Sequence, residues 1–430
     1  MRLAPSILLA ASLAASPSRA AGLAVESFEL SPGTTAALVE DHRAPIVSLV
    51  VELPVGSWSP WGRKTHALEA FEMQRFDPGG SLRAEADRLG AELSTDSDER
   101  AVRLTASCLK DDLPGLLALV RKVFANRDLD SRELKRRKTT QGIEWKASEK
   151  EPFFVARQAA ARLLFAAGDP RRLVVEKPEP VSTDPEHLAA TRDAVLRLPG
   201  RAVGFAGDLT RAEVERLAAG LLPDADAKAP ADLAPVFLPL APEEQRKDVV
   251  VPLPRLTQVY FGYGRESIPT TDPDYPAFVV ADHVLGGHFY SRLYVALRHE
   301  GGETYGAGSR SEGDVVIGPY GMGTFTRTAN VAVTEAKLRE VLRVFHEKGI
   351  TEEERADAAG YLRGQRAFGR QSPAQVLSRF LTERRLGLPE GFFDRLAERA
   401  ASLPLDDIDA FIARFYAPER FSMVKVAPEK

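Results

Sequence analysis

The run Ala44-Pro-Ile-Val-Ser-Leu-Val-Val-Glu-Leu is rich in β-branched residues and closes at Pro54 and Gly56, which predicts a strand. A helix is expected after the loop 56–64. A second should start with Ser81 as its N-cap and stop at Leu89-Gly90. Residues 92–94 and 101–108 read as strands, and 111–124 as an amphipathic helix with Leu113, Leu116, Leu117 and Val120 on one face. A helical period then runs from 131 to 167 with a break at Pro152. Residues 201–207 form a short apolar strand, followed by a helix that Thr210 can cap.

The second half restates this order. It predicts a strand over 257–263, helices over 275–285 and 291–298, and strands near 305–309 and 321–326. A helix over 334–348, a long helix from 352 and a terminal strand over 421–426 complete it. Between the halves the chain turns rich in Ala, Pro and Asp, as suits an extended linker. The pattern gives an α+β protein with a first domain over 22–225, a linker over 226–247 and a second domain over 248–430.

The first residues change the picture of where the chain works. Met1-Arg2, an apolar stretch from Ile7 to Ala15 and the small residues around Ser18-Arg19-Ala20-Ala21 make 1–21 read as a signal peptide. An exported, periplasmic protein is therefore expected. The apolar stretch is too short to span a membrane, and no later segment reaches that length without charges.

Composition narrows the chemistry. The 430 residues are 44% hydrophobic and 27% charged, in the range of ordinary globular chains. Lys+Arg 57 against Asp+Glu 61 leaves no basic excess, so no nucleic-acid partner is expected. A lone cysteine, Cys108, excludes disulfides and Cys-rich metal sites and reads as a small buried hydrophobe. Any metal would have to be held by His and carboxylates.

Of seven histidines, His66 has the most suggestive company, in His66-Ala-Leu-Glu69-Ala70. On a helix, His66 and Glu69 would share a face. His283 and His288 straddle a Gly-Gly turn without ligand spacing and read as ordinary polar residues.

The stretch Asp272-Pro-Asp-Tyr, then Leu285-Gly-Gly, Ser291-Arg-Leu, Leu297-Arg-His-Glu-Gly-Gly-Glu-Thr-Tyr305-Gly, closely resembles the second domain of the pitrilysin/insulinase family of zinc metallopeptidases. Val55-Gly56-Ser57, Leu89-Gly90-Ala91 and the run from Val203 to Asp208 extend the resemblance over nearly the whole chain after the leader. It implies two similar domains, each a mostly antiparallel sheet with helices packed against it, together forming half of a clamshell.

In the family the first domain supplies His-x-x-Glu-His and a distal Glu. Carried over, His66 matches the first zinc ligand, Glu69 the general base and Glu144 the distal ligand, while Ala70 stands where the second His belongs. Catalytic zinc keeps three protein ligands. Two remain, so zinc is expected to be absent or weakly bound, and Glu72 lies too far around the helix to substitute easily.

Arg298 and Tyr305 match the family's Arg/Tyr pair. The guanidinium would anchor substrate oxygens and the phenol would donate to an oxyanion. The alternative is an Arg that serves a helix end and a Tyr packed in the core. The half-length chain resembles a processing-peptidase subunit. The leading expectation is thus a non-catalytic subunit that forms a heterodimer with a zinc-bearing paralogue and binds peptide. A zinc endopeptidase with a replaced ligand and a structural core-type subunit remain the alternatives.

Overall fold

The computed structural model describes residues 23–429, so the expected leader at 1–21 lies outside them. Eleven strands, β1 (Glu26–Ser31), β2 (Thr34–Glu40), β3 (Ile46–Leu53), β4 (Glu92–Ser97), β5 (Val102–Leu109), β6 (Arg201–Gly207), β7 (Val249–Leu253), β8 (Gln258–Glu266), β9 (Ala307–Ser311), β10 (Pro319–Arg327) and β11 (Ser422–Pro428), form two sheets. The first runs β1-β2-β6-β3-β5-β4 and the second β7-β11-β8-β10-β9.

The sheets repeat one plan. In each, one parallel pair, β2 with β6 and β7 with β11, is followed by three antiparallel pairs. Strand β1 is an addition to the first. The fold is α+β with two similar, mostly antiparallel sheets, as the resemblance implied.

Helices follow the same repeat. Pro60–Thr65, Ala67–Met73 and Ser81–Arg88 lie between β3 and β4, where the second half has Tyr275–Leu285 and Arg292–Tyr294. Leu113–Ala125, Ser131–Ser148, Pro152–Leu164 and Pro185–Leu196 precede β6, as Val331–Lys348, Glu352–Phe368, Pro373–Arg385 and Leu405–Phe415 precede β11. From 222 to 248 the chain carries only a short turn, Glu243–Gln245, and a bridge from Leu240 to Phe165.

Each sheet buries one face under helices of its own half. Leu49, Val51, Leu104, Leu116, Val120 and Phe205 belong to the first core, and Phe261, Tyr263, Phe278, Tyr320, Leu342 and Phe415 to the second. The opposite faces are covered reciprocally. Val376, Leu377 and Leu381 of Pro373–Arg385 pack on Ala37, Val39, Ala202 and Ala206 of the first sheet. Val155 and Ala156 of Pro152–Leu164 pack on Val424 and Val426 of the second. Gly204 permits this, since a Cβ there would lie 2.8 Å from a Leu377 methyl.

Several local expectations need correction. The strand expected from Ala44 is preceded by the hairpin β1-β2, whose first strand is charged and largely exposed. The N-cap of Ser81–Arg88 is Gly80, and the Asp77 carboxylate accepts from the Ser81 and Leu82 amides at 2.9 and 3.1 Å. The helix expected over 291–298 is only Arg292–Tyr294 before it opens into a π-helical turn, Val295–His299. Thr210 does cap its helix, in a reciprocal box with Glu213.

One surface cluster makes a pH prediction. Glu176 accepts from Arg162 and Arg172, and these hydrogen bonds, Arg162 first, hold its carboxyl down at about 2. Its contribution is present above the unfolded value of about 4.3 and is lost as pH falls toward 2. Glu176→Gln should flatten the acid limb of a stability–pH curve in that window, and a curve identical to the parent's would refute it.

Candidate functional site

The first-half residues do not assemble as a continuous metal-binding helix. His66 adopts left-handed backbone, φ 59 and ψ 40, so it ends Pro60–Thr65 and starts Ala67–Met73 rather than sitting within a helix beside Glu69. That corrects the shared helical face expected from the spacing. Left-handed conformation is uncommon for a residue with a Cβ. The His66 ring lies edge-on to His187, centroids 5.8 Å apart, and His187 Nε2 is 3.1 Å from the Thr65 carbonyl.

Ala70 is 1% exposed and packs with Met73, Leu129, Leu134 and Leu188. Its methyl faces an apolar cluster and offers no ligand. Glu144 is bonded instead to a cation of its own helix, because Arg137 Nη1 donates to it at 3.1 Å while Arg137 Nε donates to Glu72 at 3.4 Å. A guanidinium thus holds the two carboxylates that a metal would need to recruit. Among the described residues no set of three His, Cys, Asp or Glu is gathered to hold a metal ion. The residues present do not fit a zinc centre of the His-x-x-Glu-His kind.

Arg137 and His187 were missed in the sequence. Arg137 stands seven residues before Glu144, two turns along the same helix face, so a signal existed. His187 had none, as it reaches His66 only because Pro185–Leu196 packs on Ala67–Met73.

The second-half pair is built differently. The π-helical turn, with the Glu300 amide donating to the Val295 carbonyl at 3.0 Å, carries Arg298. Its Nη1 donates to the Tyr294 hydroxyl and, at 2.9 Å, to the Tyr305 carbonyl. Thr324 and Thr326 of β10 pin the loop by donating to the Gly306 and Glu303 carbonyls at 2.9 and 2.8 Å. Tyr305 is 75% exposed, so it is not packed in the core.

Around Arg298 stand more aromatic rings than the sequence led one to expect. Phe289 and Tyr290 are 70% and 76% exposed, and they contact Tyr294 and His299 respectively. The Arg298 guanidinium lies 5.1 Å from the centroid of the buried Tyr294 ring, and the exposed Phe289 leans on that ring, so the patch can take carbonyl oxygens and apolar side chains together. Farther back, His283 is buried and stacked between His288 and Tyr361 at 4.1 and 4.3 Å. Burial, then the neighbouring His288, lowers its pKa to about 4. These two histidines are therefore packed rings rather than solvated polar ones. Cys108 is buried, and burial pushes its thiol up to about 11.

Comparison with known proteins bears on the whole arrangement. Residues 184–360 match the Peptidase M16 inactive domain. Over 202 residues the chain is 28% identical to the uncharacterized zinc protease SCO5738 of Streptomyces coelicolor, covering 46% of this chain and 44% of that one. Over 154 residues it is 29% identical to the non-peptidase homolog YmxG of Helicobacter pylori, covering 36% and 35%. The matched stretch thus spans less than half the length of these curated relatives.

Solved structures are similar throughout. A peptidase M16 inactive domain from Pseudomonas fluorescens superposes with a TM-score of 0.78 at 20% identity, over 95% of this chain and 99% of that one. The periplasmic protease PqqL of Escherichia coli superposes with a TM-score of 0.75 at 14% identity, over 100% of this chain and 49% of that one. Residues 184–360 thus match an M16 inactive domain, and the fold that spans both sheets is similar to that of M16, or pitrilysin/insulinase, peptidase structures.

Proposed function

We propose that this protein is the non-catalytic half of an exported peptidase, pairing with a zinc-bearing paralogue and presenting Arg298 and Tyr305 to the peptide. The observation that carries the reading is an asymmetry between the halves. Arg137 already occupies Glu72 and Glu144, and Ala70 is buried in apolar company, whereas Arg298 and Tyr305 stand open at the surface. Overlay on 49% of PqqL supports the idea that two such halves complete one enclosure. The name of YmxG supports the absence of peptidase chemistry in a close design. PqqL is described as periplasmic, in keeping with the leader expected at 1–21.

In this reading Arg298 binds substrate oxygens through the nitrogens not engaged by Tyr294 and Tyr305, and the Tyr305 phenol donates where negative charge develops. The test co-expresses the chain with its zinc-bearing paralogue and follows assembly, metal content and peptide cleavage. Arg298→Ala should leave assembly intact and lower cleavage by about 10–150-fold, the worth of charge-assisted hydrogen bonds. Tyr305→Phe should lower kcat by about 100-fold with little change in KM. Full cleavage by both correctly assembled variants would return the chain to a scaffold role. Stoichiometric zinc in the chain alone, with cleavage lost in Glu69→Gln, would favour an autonomous peptidase.

A further inference from the structure

A cavity of about 520 Å³ lies between helix Pro152–Leu164 and the second sheet, apart from the Arg298 loop. Its floor is bare backbone. Gly262 and Gly264 of β8 pair with Gly323 and Gly321 of β10, and Gly323 pairs in turn with Gly308 of β9. A Cβ on Gly262 would meet nothing within 4 Å, so the space comes from missing side chains rather than from strand separation. Apolar walls are supplied by Phe154, Ala156, Ala160, Leu163, Leu164 and Val424.

Two features define what would fill it. The amides and carbonyls of the floor are engaged in the β9-β10-β8-β11 ladders, and the edge residue Ser309 donates its amide to Gly286 at 3.0 Å. The floor therefore offers contact area and no free backbone hydrogen bonds, which disfavours an added peptide strand and suits an acyl chain or ring. At the rim, Arg157, at 3.0 Å, and Arg310, at 4.0 Å, share the one carboxylate of Glu312, which leaves positive charge locally in excess, while Arg246 is paired with Glu266. The Glu151 carboxylate is used on the Phe153 and Phe154 amides. Arg310 is 83% exposed at its side chain and only loosely paired, so it is available to an anion.

We infer that this cavity binds a small amphipathic carboxylate of the fatty-acid class, with its apolar body on the glycine floor and its carboxylate at Arg310 and Arg157. The inference does not depend on the peptidase-subunit reading. Calorimetry with decanoate on the whole chain tests it, with decan-1-ol and a short peptide ending in Phe as separate arms. Decanoate should bind one per chain. Decan-1-ol should bind more weakly, because it lacks the charge. Gly262→Leu fills the floor and should weaken decanoate about tenfold or more without lowering the melting temperature, since strand positions favour side chains over glycine. Arg310→Ala should weaken it about two- to fivefold, as befits an exposed charge. If Gly262→Leu fails to fold, Gly323→Val serves, because its Cβ has only an ordinary contact of 3.9 Å to the Phe261 carbonyl. Binding unaffected by either glycine variant would overturn the assignment. So would carboxylate-dependent binding of the peptide with none of decanoate.

Discussion

Replacing Asp169 by alanine should lower the unfolding free energy by about 3–5 kcal/mol, measured by denaturant titration, because it strands a buried guanidinium. Asp169 is 0% exposed. Its two oxygens accept from Arg171 Nε and Nη2 at 2.9 and 2.7 Å, from the Arg171 amide at 2.8 Å and from the Leu238 amide at 2.8 Å. Arg171 in turn donates to the carbonyls of Leu238 and Ile317 at 2.7 and 3.3 Å and lies over the Phe165 and Phe237 rings. One ion pair therefore fastens the segment between the sheets to both halves. A loss below about 1 kcal/mol, typical of an exposed pair, would mean that the node is solvated.

Arg385→Ala should cost a comparable amount, about 3–5 kcal/mol, for the same reason with the signs reversed. Arg385 comes from the second half and reaches Glu52 on β3 at 2.5 Å and Asp98 at 3.2 Å. Glu52 is 4% exposed, and burial raises its pKa although Arg385 and Arg103 pull the other way. A carboxyl with a raised folded pKa loses stability as pH climbs from its unfolded value, about 4.3, through the folded one. Removing Arg385 raises it further, so the variant's deficit should be larger at pH 8 than at pH 5. Glu52→Gln in the Arg385→Ala background should recover part of the loss, because the neutral amide needs no counter-charge. An equal deficit at both pH values would place the damage in packing alone.

The sequence was informative where local rules act. Ile46–Leu53, Val102–Leu109 and Leu113–Ala125 announced themselves by alternation or by helical period, and Pro152 broke a helix where Pro should. Hairpin β1-β2 escaped because Glu26–Ser31 carries charge and hydroxyls on an edge strand, and polar edges look like loops. At the site, the absence of a ligand at Ala70 was legible, since it needs only residue identity. The left-handed turn at His66 was not. It depends on how Pro60–Thr65 meets Ala67–Met73, and neither the Pro60 start nor the His66 stop has a glycine to mark it. The exposed rings beside Tyr294 and His299 were hidden for another reason. Phe289 and Tyr290 sit in an exposed loop, where sequence alone gives no direction.

The reciprocal helices have a consequence for how the chain is made. During synthesis the first sheet is complete when Gly207 emerges, yet the residues that cover its second face, Val376, Leu377 and Leu381, come more than a hundred positions later. Until then Ala37, Val39, Ala202 and Ala206 remain wet, and the nascent half presents an apolar sheet face to any binding protein in its path. Contacts so distant in sequence also raise the loop-closure cost that must be met before they form, which slows folding. The last strand, β11, lies between β7 and β8 inside its sheet, so the second half cannot close before residues 422–428 arrive. The chain should therefore reach its native state in one late, cooperative step once β11 has emerged, and a fragment ending near residue 225 should require a holdase to stay dispersed.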